Sequence, residues 1–111
     1  MVGVARAELD VAQATPYNRG ECWLWYGNQG AINAASGPNR VSGWPGQQKF
    51  AVGDTVGVLL DCGAGSLTMY KNGARLGVPV AQGVAGDLHW AACLYSNASV
   101  CLAPKPLPAD A

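Results

Sequence analysis

Apolar positions in this chain come in short alternating runs, each closed by Gly, Pro or Asn, and the pattern is sharpest over residues 53–77, "GDTVGVLLDCGAGSLTMYKNGARLG". Asn72-Gly73 is the strongest short hairpin signal in such a context. Both central residues of a type I′ turn need positive φ, which Asn and Gly tolerate. A two-residue loop pairs 71 with 74, and counting back sets Tyr70 opposite Arg75, Met69 opposite Leu76 and Leu67 opposite Val78. The four-residue turn "CGAG" at 62–65 pairs Asp61 with Ser66, Leu60 with Leu67 and Val58 with Met69. With a side-chain period of two, both turns place Val56, Val58, Leu60, Leu67, Met69, Leu76 and Val78 on one face of three strands. Such a face is stable only against a second sheet. On the opposite face Tyr70 stands beside Arg75, as a solvated cross-strand pair or a cation–π contact. The turn geometry makes Gly73, unlike Gly83, the glycine that must hold positive φ.

The rest of the chain has the same texture. Fifteen Gly and seven Pro punctuate short apolar runs, which favours an all-β sandwich or barrel over helices. "ARAELDVAQA" at 5–14 has helix-forming composition, but it reads better as the end of a "VGVA" strand followed by loop. Residues 27–48, "GNQGAINAASGPNRVSGWPGQQ", are rich in Gly, Asn and Ser and leave room for one short strand at most. Residues 1–103 are read as one domain, and 104–111, within "APKPLPADA", as a disordered Pro/Ala-rich tail.

Composition narrows the functional classes. At 111 residues the chain holds one core. Half of the residues are hydrophobic, but 18 of them are Ala, so the core is adequate and not generous. Seven Lys+Arg, scattered singly, balance seven Asp+Glu, and no basic stripe exists to neutralise phosphates, which argues against a nucleic-acid partner. The start "MVGVARAELD" lacks the basic and apolar regions of a signal peptide, and no window approaches the ~18 uncharged apolar residues of a membrane span. No membrane partner and an intracellular setting, cytoplasmic or nuclear, are expected.

Cys22, Cys62, Cys93 and Cys101 show no CxxC pair, and the one histidine is His89, so a zinc site would need all four thiols from distant segments. Buried free thiols are the expectation, with no metal and no other cofactor. Cys93 and Cys101 are the one pair that a short turn at 96–98 could set opposite each other. "NAS" at 97–99 fits a glycosylation sequon, but in an intracellular chain it reads as a turn.

The order "GD.VGVLLD" (53–61), "GSLTMYKNG" (65–73), "LGV" (76–78), "GDLHWAACLYS" (86–96) and "VCL" (100–102) resembles the SPRY domain. "VGVAR" at 2–6 and the Trp of "ECWLWYG" at 21–27 match earlier family segments in the right order, so the resemblance covers residues 2–102. It implies a bent antiparallel β-sandwich of the SPRY, concanavalin-like kind. Family members serve as non-catalytic interaction modules in ubiquitin-ligase adaptors, tripartite-motif proteins, ryanodine receptors and chromatin complexes. The chain departs from the family in starting directly on "VGVA", where one or two strands usually precede. It is expected to be either an N-terminally truncated domain or a minimal one with an unpaired edge. It also has His89-Trp90 where many members have Tyr-Pro.

The resemblance implies that partners are bound by the loop after "VGVA" and by the turn before the last strand. Residue by residue, this points to Tyr17, Asn18 and Arg19 in the first and to Tyr95, Ser96 and Asn97 in the second. Tyr and Arg are also what interface hot spots favour. The expected partner is a protein or peptide. Trp23 corresponds to a core residue, and Trp25 is open between core and surface.

Two other classes are weighed. A sandwich with Trp23, Trp25, Tyr26 and Trp44 near Asn- and Gly-rich loops could bind sugar as a lectin does, but the clustered carboxylates of a calcium-dependent lectin are missing, since Asp10, Asp54, Asp61 and Asp87 lie in separate segments. Sugar or another small molecule is therefore a weaker expectation than a peptide. For an enzyme, His89 and Cys93 would have to act as base and nucleophile, yet residues four apart on a strand are ~13 Å apart. His89 is read as a sheet or rim residue, and the chain as no enzyme.

Overall fold

The computed structural model describes residues 2–6, 22–34, 41–92 and 101. Among these, every regular element is a strand: β1 Val2–Arg6, β2 Cys22–Trp25, β3 Ile32–Ala34, β4 Val56–Asp61, β5 Ser66–Lys71, β6 Ala74–Val80 and β7 Leu88–Ala92. They form two antiparallel sheets, one ordered β3-β2-β1-β7 and the other β4-β5-β6. The chain is thus all-β with two sheets packed through their apolar faces, as expected. The tail 104–111 lies outside the described residues.

The three-stranded sheet follows from its turns. Asn72 has φ 51° and Gly73 φ 84°, and Lys71 pairs with Ala74 and Tyr70 with Arg75. At the other turn Asp61 pairs with Ser66, Leu60 with Leu67 and Val58 with Met69. There the Asp61 carboxylate accepts hydrogen bonds from the Gly63 and Ala64 amides at 3.0 and 3.1 Å, and Gly65 closes the turn at φ 69°.

The expected register fails along β6. Met69 pairs with Gly77 instead of Leu76, and Leu67 with Val80 instead of Val78, because the ladder shifts twice, once on each side of Met69. Each shift adds one residue to β6. Val80 therefore enters the core, and Val78 is 37% exposed. The cause is tertiary. Residues 44–46 cross β6 so closely that a β-carbon on Gly77 would meet the Pro45 carbonyl, and one on Gly46 the Leu76 carbonyl. A second expectation also fails: Gly83 has φ 97°, so it shares the requirement assigned to Gly73 alone.

The core lies between the sheets. From the four-stranded sheet it takes Val4, Trp23, Trp25 and Ile32, and from the other Leu67, Met69 and Val80, with Trp44 and Val84 added from loops. Burying each of the larger aliphatic side chains contributes roughly 1.5–3 kcal/mol. Val56, Val58, Leu60 and Leu76 pack against this cluster, half-buried. The "VGVA" strand is not an edge, since β1 runs between β2 and β7. Among its described residues the Gly/Asn-rich stretch holds one short strand, β3, with a further bridge from Ile32 to Val41.

Candidate functional site

Each tryptophan near the Gly- and Asn-rich loops has a structural use. Trp23 and Trp25 are fully buried and Trp44 is 5% exposed. The Trp44 indole N–H donates to the Gly30 carbonyl at 2.9 Å, and that of Trp25 to the Gln48 carbonyl at 3.2 Å. Trp25 packs edge-on against Trp44, with ring centroids 6.3 Å apart, and against Phe50 at 4.7 Å. These hydrogen bonds let aromatic side chains with a polar handle enter the core from a loop. Their burial leaves Trp23, Trp25 and Trp44 with no exposed ring face on which a sugar could stack. Trp25, left open by the sequence, belongs to the core.

Tyr70 pairs with Arg75 across β5 and β6, and Arg75 is exposed. Arg6, at the end of β1, makes a cation–π contact. Its guanidinium carbon lies 5.1 Å from the Trp23 ring centroid, and its Nε donates to the Ala85 carbonyl at 3.2 Å.

The carboxylates weighed for chemistry hold turns together. Asp54 Oδ2 accepts from the Ala51 amide at 2.9 Å, and Oδ1 from the Asn72 side-chain amide at 3.1 Å. Lys71 Nζ stands 4.0 Å from Oδ2. The Ala51 amide first and then Asn72 hold the Asp54 carboxyl below its ordinary value, against the opposing effect of desolvation and with a lesser contribution from the Lys71 charge. Asp61 caps its own turn. His89 is an exposed residue of β7, a sheet position as expected. Among the described residues no three His, Cys, Asp or Glu side chains gather as metal ligands.

Cys22, Cys62 and Cys101 are free thiols. Cys22 is buried as expected, but Cys62 and Cys101 are exposed, Cys62 because it sits in the 62–65 turn. Cys93 lies outside the described residues.

A family model of the SPRY domain matches residues 1–105. The chain belongs to the SPRY domain family. None of the curated proteins and none of the solved structures matches it. SPRY domains are generally non-catalytic modules of protein interaction.

The six positions implied by the resemblance, Tyr17, Asn18, Arg19, Tyr95, Ser96 and Asn97, all lie outside the described residues. The structure gives their anchors. The 7–21 segment leaves β1 at Arg6 and returns at Cys22, which pairs with Ala5, whereas the chain leaves β7 at Ala92, which pairs with Val2. The two segments thus spring from opposite ends of β1 and from the strands on either side of it. Close to the second anchor is a residue that sequence reasoning missed. Trp90 is 54% exposed, although its partner Val4, on the same face, is 1% exposed. Alternation alone assigns Trp90 to the core side. It sits on β7, which ends the described order of the four-stranded sheet.

Proposed function

We propose that this domain binds a short linear peptide or loop of a partner protein through Tyr17, Asn18 and Arg19 together with Tyr95, Ser96 and Asn97, and leaves it chemically unchanged. The observation that carries the reading is the pair of anchors on the four-stranded sheet. Cys22 and Ala92 are separated by two strand spacings across the sheet and three residues along it, about 14 Å. Tyr17 lies five residues from Cys22 and Tyr95 three from Ala92, reaches of up to ~17 and ~10 Å. The two segments can therefore share one ligand while springing from a rigid support.

Further support comes from what the fold has already used. Trp23, Trp25 and Trp44 are consumed by the core, and Asp54 and Asp61 accept hydrogen bonds that hold turns. Tyr side chains and an Arg offer large contact area at low entropic cost, and Arg19 favours an acidic residue in the partner. Trp90, exposed on β7 before Tyr95, extends this surface with an apolar contact. The free thiols accord with an intracellular setting, cytoplasmic or nuclear.

The test is capture of partners from cell lysate by the wild-type domain and by a Tyr17→Ala/Arg19→Ala/Tyr95→Ala variant with an unchanged melting temperature. The variant loses the wild-type partners. An identical partner list would place recognition elsewhere.

A further inference from the structure

Asn72-Gly73 is the one Asn-Gly step in the chain, and it lies exposed at the tip of the β5–β6 hairpin. A glycine after asparagine has no β-carbon to shield its nitrogen, so that nitrogen can attack the asparagine side chain. Nothing lies within 4 Å of the position a β-carbon would take on Gly73. Yet the Asn72 side chain is held at both of its polar atoms. Its Oδ1 accepts from the Thr55 amide at 2.9 Å, and its Nδ2 donates to Asp54 Oδ1 at 3.1 Å. Its own backbone amide donates to the Thr55 carbonyl at 2.6 Å, and its φ is fixed at 51°.

We infer that Asn72 is a latent deamidation site, kept in its amide form by the Asp54–Asn72–Thr55 clip, and that its conversion to aspartate or isoaspartate opens that clip. In the reaction the Gly73 nitrogen bonds to Cγ of Asn72 and the Cγ–Nδ2 bond breaks. The proton lost from Gly73 leaves with the nitrogen as ammonia, and a succinimide closes. Water then adds to one of its two carbonyls and opens the ring, so the net change is one water consumed and one ammonia released. The attack requires Cγ to swing toward Gly73, which the two side-chain hydrogen bonds and the αL backbone oppose. Conversion therefore proceeds through local opening of the hairpin tip.

The product cannot rebuild the clip. Aspartate at 72 replaces the donor that faced Asp54 with a carboxylate oxygen, setting two negative charges at hydrogen-bond distance, with Lys71 as the nearby positive charge. Isoaspartate adds a backbone carbon to a two-residue turn and breaks the pairing of Lys71 with Ala74.

Peptide mapping by mass spectrometry, over a long incubation in near-neutral buffer, follows conversion at Asn72 in the intact chain, in an Asp54→Ala variant and in a free peptide spanning residues 66–80. The intact chain should convert about tenfold or more slowly than the peptide, because only the opened hairpin reacts. A folded Asp54→Ala chain should convert faster than wild type, and an Asn72→Asp chain should melt below it. Equal rates in chain and peptide would overturn the inference, as would a folded Asp54→Ala chain converting at the wild-type rate or an Asn72→Asp chain melting with wild type. If Asp54→Ala does not fold, the chain-to-peptide ratio and the Asn72→Asp melt decide.

Discussion

Trp44 joins a loop to the core through both of its chemistries. Its ring packs against Trp25 between the sheets, and its indole N–H is spent on the Gly30 carbonyl. Trp44→Ala should cost about 3–5 kcal/mol, read from urea denaturation, because it leaves both a cavity and an unpaired carbonyl. A loss below 1 kcal/mol would mean that the loop does not depend on it. Asp54 acts through charge. Its folded carboxyl titrates below the unfolded one, so the native state is stabilised above the ordinary carboxylate range and loses that stability as pH falls through the folded value. The urea midpoint should drop on acidification through that window, and the drop should be smaller in Asp54→Asn. Neither role is legible in sequence. The partners of Trp25 and Trp44 are backbone carbonyls in a stretch that reads only as loop, and those of Asp54 lie on a hairpin many residues away.

The elements show where local rules suffice. Asn72-Gly73 and the 62–65 turn fix their pairings because a two-residue or capped four-residue turn leaves the neighbouring strands no choice. Local rules fail two residues farther along β6, where the crossing of 44–46 demands glycine at 46 and 77 and two ladder shifts accommodate it. Val78 and Val80 exchange places as a result, a change no pattern within β6 announces. Gly83 is missed for a related reason, since its positive φ serves a loop whose Val84 amide donates to the Gly65 carbonyl. Gly73→Val and Gly83→Val should each destabilise by about 1–2 kcal/mol or more. Gly63→Ala, at a glycine without positive φ, should be close to neutral. Thermal melts check all three, and a neutral Gly73→Val would contradict the type I′ hairpin.

At the scale of the whole molecule, the sandwich separates what is enclosed from what can be reached. Cys22 is 1% exposed whereas Cys62 and Cys101 are exposed, so brief alkylation of the native chain followed by mass mapping should label the latter two and leave Cys22 untouched until denaturation. Labelling of Cys22 at the same rate would mean that the four-stranded sheet opens readily. The family and the two-layer fold were legible because the scaffold motifs are long and ordered. Of the proposed binding surface, the sequence offered Tyr17, Arg19 and Tyr95 by resemblance but gave no sign that Trp90 is exposed, since alternation alone assigns it to the core side. The central claim is that a peptide is held across the 17–19 and 95–97 segments, and a backbone-amide NMR titration with a peptide selected on the intact domain tests it most directly. Shift changes should concentrate at residues 17–19, 90 and 95–97, with the peptide recovered unaltered in mass. Changes confined to the β4–β6 sheet, or a peptide recovered cleaved or modified, would contradict it.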